Sequence, residues 1–164
     1  MAIQNAAKGF VPMRTPLEGQ TLEFTASSIV FPGQAVILSS GKIIPYTITS
    51  GFPVLGVSMD YAAVDGKANV IVDPDMVYKI LGDDPWTAND ADIGLLASLV
   101  SNGGSATTKL ATGVLKNSTA SSTVTDHMCC IIVGKAGDIE SGATDAWHLV
   151  KFHTMELSTP HTAT

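Results

Sequence analysis

The stretch from Ile29 to Asp60 reads IVFPGQAVILSSGKIIPYTITSGFPVLGVSMD, and it places turn residues at short intervals between apolar runs. Lys42 is its only charged residue before the final aspartate. Pro32-Gly33 suits the centre of a type II turn, because proline presets the first φ angle and glycine accepts the positive second one. The apolar runs are short and rich in β-branched residues, which predicts β-strands separated by tight turns.

Glycine and proline positions around this stretch predict where strands turn, bend or reach the edge of a sheet. The segment SSGK predicts a tight connection, and Pro45 places the strand after it at an edge or a bulge. Gly56 marks a bulge or a point of close backbone approach. The Asp-Gly pair at 65–66 predicts a two-residue hairpin. Positive φ angles are expected at three glycines, Gly33, Gly41 and Gly66.

Strand patterns continue on both sides of the opening stretch. They include TLEFTA, KANVIVD and MVYKIL, and later KLATGVL, HMCCIIVGK and AWHLVKFHTMEL. The segment from Asn89 to Val100 differs, because Asn89 or Asp90 could cap a short helix with Ile93, Leu96 and Val100 on one apolar stripe.

This spacing predicts a mainly β protein, a small barrel or sandwich of short antiparallel strands with at most one or two short helices. Pro12 and Pro16 break regular structure near the start, which predicts an extended N-terminal arm. The predicted division is an arm at 1–19, a β domain at 20–82, a second β-rich subdomain at 83–158 and a tail at 159–164. The second subdomain could equally be continuous with the first.

The composition points to a protein that lies against partners. Charged residues make up 15% of the chain and hydrophobic residues 45%, whereas soluble domains carry about 25% charged residues. The net charge of -6 comes without any basic run, so we expect no direct binding to nucleic acid. We expect no membrane segment, because no apolar run approaches ~20 residues, and the start lacks the apolar core of a signal peptide.

The residues that could carry chemistry form no convincing cluster. Cys129 and Cys130 are the only cysteines, and adjacent cysteines bond to each other only with strain. They are therefore interpreted as reduced thiols, with one in the core, in a reducing cytoplasm. His127 shares a strand face with Cys129, and His148 and His153 follow, but this spacing matches no structural zinc pattern. We expect neither a metal nor a cofactor.

Catalytic signatures are also missing from the sequence. It contains no Gly-x-Ser-x-Gly motif, and its histidines all lie in the last forty residues. We therefore expect that the protein is not an enzyme.

Aromatic side chains offer a second kind of surface. Trp86, in the acidic turn DDPWT, is expected to be exposed and could anchor a subunit contact. Core packing is the favoured interpretation for Tyr61 and Trp147, while stacking on sugars is the alternative for these two and is also open to Tyr78 and Trp86.

The segment FPGQAVILSSGKIIPYTITSGFPVLGVSMDYAAVDGKANVIVDPDMVYKI resembles the small head decoration, or cement, proteins of tailed bacteriophages. In that family a Pro-Gly-x-x-Val strand leads to a Gly-Lys-Ile turn, and a Gly-Val strand precedes an Asp-Gly hairpin. The matching positions here are Pro32-Gly33, Gly41-Lys42-Ile43, Gly56-Val57 and Asp65-Gly66. Asp92-Ile93-Gly94 also looks like structural proteins of phage particles.

The resemblance implies a structural protein that binds the outer surface of an assembled head and stabilises contacts between major capsid protein subunits. It would be made in the host bacterial cytoplasm and would end on the capsid exterior of the virion. Its partners would be the major capsid protein and itself, as a homotrimer or alternatively a homodimer. The alternatives are a tail-tube or head–tail connector protein, or a carbohydrate-binding module on the particle.

We expect the N-terminal arm to carry the contacts with the shell, with Phe10, Val11 and Met13 as apolar anchors and Trp86 as a further contact. Deleting residues 1–19 is then expected to weaken attachment while the β core stays folded.

Overall fold

A computed structural model of the chain describes residues 9–48, 53–83, 90–116, 129–135 and 147–152. These residues form fourteen β-strands and one 3-10 turn at Asp90–Asp92. The strands are β1 (Val11–Pro12), β2 (Thr21–Thr25), β3 (Ala35–Ser39), β4 (Lys42–Pro45), β5 (Gly56–Ser58), β6 (Lys67–Ile71), β7 (Tyr78–Leu81), β8 (Leu96–Ala97), β9 (Leu99–Ser101), β10 (Gly104–Ser105), β11 (Leu110–Ala111), β12 (Val114–Leu115), β13 (Cys130–Lys135) and β14 (Trp147–Phe152).

Sheet I contains β2, β6, β5, β3 and β4 in that order, and all its neighbouring strands are antiparallel. Side chains alternate between its faces, so that Ala68 and Val70 of β6 are buried while Asn69 between them is exposed. A single parallel bridge between Ala26 and Ile43 brings its two edges together without closing the sheet into a barrel.

Sheet II contains β1, β7, β14, β13 and β8 in that order, and it joins distant parts of the chain. The central strand β14 pairs with β7 on one side and β13 on the other. Its buried residues are His148, Val150 and Phe152. The segments 20–82 and 83–158 therefore share one sheet. Two smaller antiparallel pairs, β9 with β12 and β10 with β11, complete the described strands.

One hydrophobic cluster fills the space between the sheets. It contains Ile37, Val57 and Ile71 from sheet I and Ile80 and Val150 from sheet II. Each such aliphatic side chain contributes roughly 1.5–3 kcal/mol when fully buried. This sandwich-like arrangement of short antiparallel strands confirms the predicted mainly β fold.

The N-terminal segment is part of this core. The ring of Phe10 is 1% exposed and packs against Tyr78 and Phe152, with ring centroids 5.8 and 4.9 Å away. The next residues form β1, in which Val11 pairs with Lys79. Residues 9–12 are thus held by the fold. The first eight residues of the predicted N-terminal arm lie outside the described part of the chain.

Two of the predicted turns are confirmed. In the turn 31–34 the Gln34 amide donates to the Phe31 carbonyl at 3.0 Å, and Gly33 has a φ of 88°. These are the features of a type II turn. The β3–β4 hairpin turns at Ser40 and Gly41, with φ angles of 51° and 79°. Two successive positive φ angles fit a type I′ turn.

The predicted two-residue Asp-Gly hairpin is wrong. Residues 59–66 all lie between β5 and β6, and Asp65 rather than Gly66 has the positive φ, at 64°. The Asp65 amide donates to the Ala26 carbonyl at 2.7 Å, and Ala62 bridges to Val30. These tertiary hydrogen bonds draw the connection across sheet I, where it covers a second apolar cluster.

The predictions for Gly56 and Pro45 are confirmed. A Cβ at Gly56 would overlap the carbonyl oxygen of Ile71 on the neighbouring strand, so this is a point of close backbone approach. Pro45 lies in β4, an edge strand of sheet I. An edge position suits proline because it has no amide hydrogen for a further strand.

The predicted helix from Asn89 to Val100 is wrong within the described residues. Only a 3-10 turn forms, Gly94 has a φ of 92°, and Ile93 and Val100 are exposed. The Gly94 amide donates to the Ile132 carbonyl at 2.7 Å, and the Ile132 amide donates to Leu95 at 2.9 Å. Pairing with β13 therefore supplies the hydrogen bonds that a helix would have made within itself.

Candidate functional site

An open apolar groove of about 240 Å³ lies where β1 meets the turn 31–34 and β5. We refer to it as the apolar groove. Its lining residues come from five parts of the chain and include no charged side chain. They are Phe10, Val11, Pro12, Pro32, Gly33, Val57, Ser58, Met59, Ile71 and Leu110.

Backbone hydrogen bonds fix the walls of the groove. The Phe10 amide donates to the Gly33 carbonyl at 2.8 Å, and the Gly33 amide donates to the Ser58 carbonyl at 2.8 Å. The Ala111 amide donates to the Pro32 carbonyl at 3.0 Å. The β1 segment, the turn and the β10–β11 hairpin are therefore held together before anything binds.

Glycine at position 9 permits this close approach. Gly9 has a φ of 66°, and a Cβ there would overlap the Gly33 carbonyl and lie 2.7 Å from the Ala111 side chain. A side chain at this position would push β1 away from the turn.

The rim of the groove exposes large apolar side chains beside one cation. Met59 and Leu110 are 42% and 40% exposed. Tyr61 is 37% exposed, and its ring centroid lies 5.6 Å from that of Phe31. The Lys109 Nζ lies 4.4 Å from the Tyr61 ring centroid, a cation–π distance. The rim therefore combines aliphatic, aromatic and cationic groups.

A polar clip holds the β10–β11 hairpin against sheet I. The Asn102 Nδ2 donates to the carbonyls of Ala35 and Tyr46, both at 2.9 Å, and its Oδ1 accepts from the Ala35 amide at 3.2 Å. Gln34 accepts from the Phe31 amide and donates to the Asn102 carbonyl at 2.6 Å. These bonds position the hairpin that carries Lys109 and Leu110.

An ion pair holds the chain after β1. The Arg14 guanidinium binds the buried Asp73 carboxylate and donates to Gln20 at 3.0 Å. Burial raises the pKa of Tyr78 well above its ordinary value, the Asp73 charge raises it further, and Arg14 opposes that. The Tyr78 hydroxyl makes no hydrogen bond within the described chain, so it serves as part of the apolar core.

The predicted contact residues are placed differently from one another. Phe10 is buried, Val11 is half-buried in the groove wall, and Met13 is 50% exposed. Trp86 lies outside the described residues. The role of these residues in contacts with a capsid shell stays a prediction. The expectation that the β core stays folded when residues 1–19 are deleted is revised, because Phe10 belongs to that core.

The cysteines are free thiols, as the sequence predicts, but both are buried. Their sulfur atoms lie 3.4 Å apart. Burial raises the pKa of the Cys130 thiol, and Cys129 raises it further. A high pKa disfavours the reactive thiolate, which fits a structural role for the pair.

Other candidate chemical groups do not converge within the described residues. No set of three or more His, Cys, Asp and Glu side chains there is placed to hold a metal ion. His127 and His153 lie outside the described part. His148 is buried, and burial lowers its pKa to about 4, while Asp92 and Asp83 oppose the shift. No helix in the same part is long and apolar enough to cross a membrane.

Sequence reasoning misjudged Tyr61 and missed Met59, Lys109 and Leu110. The core interpretation of Tyr61 is wrong, since its ring forms part of the exposed rim. Lys109 and Leu110 reach the groove only because the clip at Asn102 folds their hairpin onto sheet I. No local pattern signals that placement. Trp147 is half-buried, with the Lys79 Nζ 5.1 Å from its ring centroid.

The chain was compared with known proteins. No protein-family model matches it, and no curated protein matches its sequence.

Proposed function

We propose that this chain is a structural decoration protein that binds the outer surface of a tailed-bacteriophage head and stabilises contacts between major capsid protein subunits. The observation that carries the proposal is the apolar groove, preformed by backbone hydrogen bonds and bordered by exposed Met59, Tyr61 and Leu110. Exposed apolar surface of this kind marks contact sites. Three elements that resemble decoration proteins, at Pro32-Gly33, Gly41-Lys42-Ile43 and Gly56-Val57, support the same function, whereas the Asp65-Gly66 hairpin of that pattern does not form.

The wider surface also supports a protein that works by contact. Charged residues are few, at 15% of the chain. Large hydrophobic side chains are exposed at many described positions outside the groove, namely Met13, Leu17, Leu22, Ile29, Val64, Ile93, Val100 and Val133. Many weak contacts of this kind, repeated over a symmetric shell, add up through multivalency.

In this proposal the protein is made in the host cytoplasm and ends on the exterior of the virion. Its role requires no catalysis. Copies close around a symmetry axis as a homotrimer, in which each copy contacts its two neighbours through two different patches.

Addition of the purified chain to undecorated heads tests the function. The expected result is saturable binding at symmetry-related positions in a density map of the particle, together with higher resistance of the heads to heat. Absence of the chain from sedimented heads at saturating concentration contradicts the proposal. A single ring of copies at the neck or tail supports the connector or tail-tube alternative. Glycan binding that Trp86→Ala abolishes supports the carbohydrate-binding alternative.

A further inference from the structure

The apolar groove has the size of a pocket for side chains. A volume of about 240 Å³ is below the roughly 300–1,000 Å³ of small-molecule and cofactor sites. It accommodates one or two apolar side chains of a partner. Because backbone hydrogen bonds already fix its walls, little ordering is required when such a side chain enters.

The edge of β1 favours insertion of a side chain over addition of a strand. Pro12 forms half of this two-residue edge strand and has no amide hydrogen to offer. The Phe10 amide is already bound to the Gly33 carbonyl. A partner segment therefore gains little from backbone pairing here and more from burying apolar atoms against Met59 and Leu110.

The positive charge of Lys109 beside the groove indicates which charged group a partner would carry next to its apolar side chain. Lys109 directly precedes the groove residue Leu110, and its ammonium makes no salt bridge within the described chain. The carboxylate of Asp60, which precedes the rim residue Tyr61 in the chain, is occupied, since it accepts from the Asn69 amide at 2.8 Å and from the Asn69 side chain at 3.1 Å. A partner carboxylate would complement Lys109.

We propose that the apolar groove receives an apolar side chain of the major capsid protein, flanked in that protein by an Asp or Glu that pairs with Lys109. This assignment rests on the proposed decoration function. An apolar side chain flanked by an acid complements both the uncharged lining of the groove and the Lys109 ammonium beside it.

Binding of purified variants to undecorated heads tests the assignment. Leu110→Glu and Met59→Glu should each weaken the affinity at least about tenfold, as expected for anchors at the centre of an interface. Lys109→Glu should weaken it similarly, and Lys109→Met should reduce its dependence on salt. The controls are Ser39→Glu, which introduces a glutamate at an exposed position at the end of β3, and Lys67→Glu, which makes the same charge change at the far end of β6 from Ile71. Both should bind within about twofold of the wild type.

The outcomes separate the two proposals. If the wild type binds heads and the groove variants bind equally well, the groove assignment fails while the decoration function stands. If the wild type does not bind heads, the function and the assignment both fail. If the groove variants leave head binding intact but lower the oligomer mass of the free protein, the groove holds a second copy and the assignment is overturned. Thermal melting of each variant establishes that it is folded, and the rim positions of the three residues make this the expected result.

Discussion

Sheet I and sheet II are built from different kinds of contact. Sheet I is drawn from one continuous part of the chain, residues 21–71, and contains the tight β3–β4 turn at Ser40-Gly41. Sheet II brings β1 and β7 together with β13 and β14 from the far end of the chain. Since closing long loops costs entropy before contacts compensate for it, sheet II depends on the shared core more than sheet I does. The difference predicts which substitutions act locally and which act on the whole fold.

The largest effect is expected inside sheet I, at Gly56. Gly56→Ala places a methyl group against the Ile71 carbonyl, which cannot move without breaking the β5–β6 pairing. We expect a loss of roughly 4 kcal/mol or more in the free energy of unfolding, measured by urea denaturation. Gly103→Ala is the matched control, because an added Cβ there comes no closer than 3.6 Å to a neighbour. A Gly56→Ala protein as stable as the Gly103→Ala protein would show that strands β5 and β6 can shift to accommodate a methyl group.

The second effect concerns the anchoring of sheet II by Phe10. Phe10→Ala removes the ring contacts with Tyr78 and Phe152 and leaves a cavity between the sheets. The expected loss is about 3–4 kcal/mol of unfolding free energy. Met13→Ala, at an exposed position of the same segment, should change it by less than about 0.5 kcal/mol. Equal effects at the two positions would mean that β1 is not part of the core.

A third effect is a pH dependence located in sheet II. The pKa of buried His148 is about 4 in the folded state, below the ordinary value of 6.5. The unfolded chain therefore takes up the proton first, and stability falls as the pH drops from about 6.5 to about 4. Between pH 7.5 and pH 5 this single group should account for about 2 kcal/mol.

His148→Gln tests that assignment. Urea denaturation of the variant and the wild type at several pH values should show a shallower fall in the variant over this window. The same slope in both proteins would assign the acid sensitivity to other groups.

The smallest effect is expected at the tip of sheet I. Gly41 has a φ of 79° but has open space around it, so Gly41→Ala introduces backbone strain without a clash. The expected loss is about 1 kcal/mol, seen as a small shift of the thermal midpoint. A loss as large as that of Gly56→Ala would contradict the view that the β3–β4 turn is locally determined.

The contrast between local and distant contacts explains which features of the fold and the groove could be predicted from the sequence. The turns at Gly33 and Gly41 follow from one or two residues, because φ preferences act within the turn itself. The helix expected at Asn89 to Val100 fails because its hydrogen-bonding partner is Ile132, on a strand that no local pattern connects to it. The groove was only half predictable for the same reason. Val11 was expected at a contact surface, whereas Leu110 reaches the groove through the distant clip at Asn102.

The contact between the Phe10 and Phe152 rings has a practical consequence for protein engineering. These rings are 4.9 Å apart, so the first and last described strands run through the same part of the molecule. A linker that joins Phe152 to Gly9, with a new opening at the exposed Gly19, where the surroundings are empty, should yield a circular permutant that keeps both sheets. Cargo fused at that opening would attach at an exposed turn, which makes the chain a candidate display scaffold.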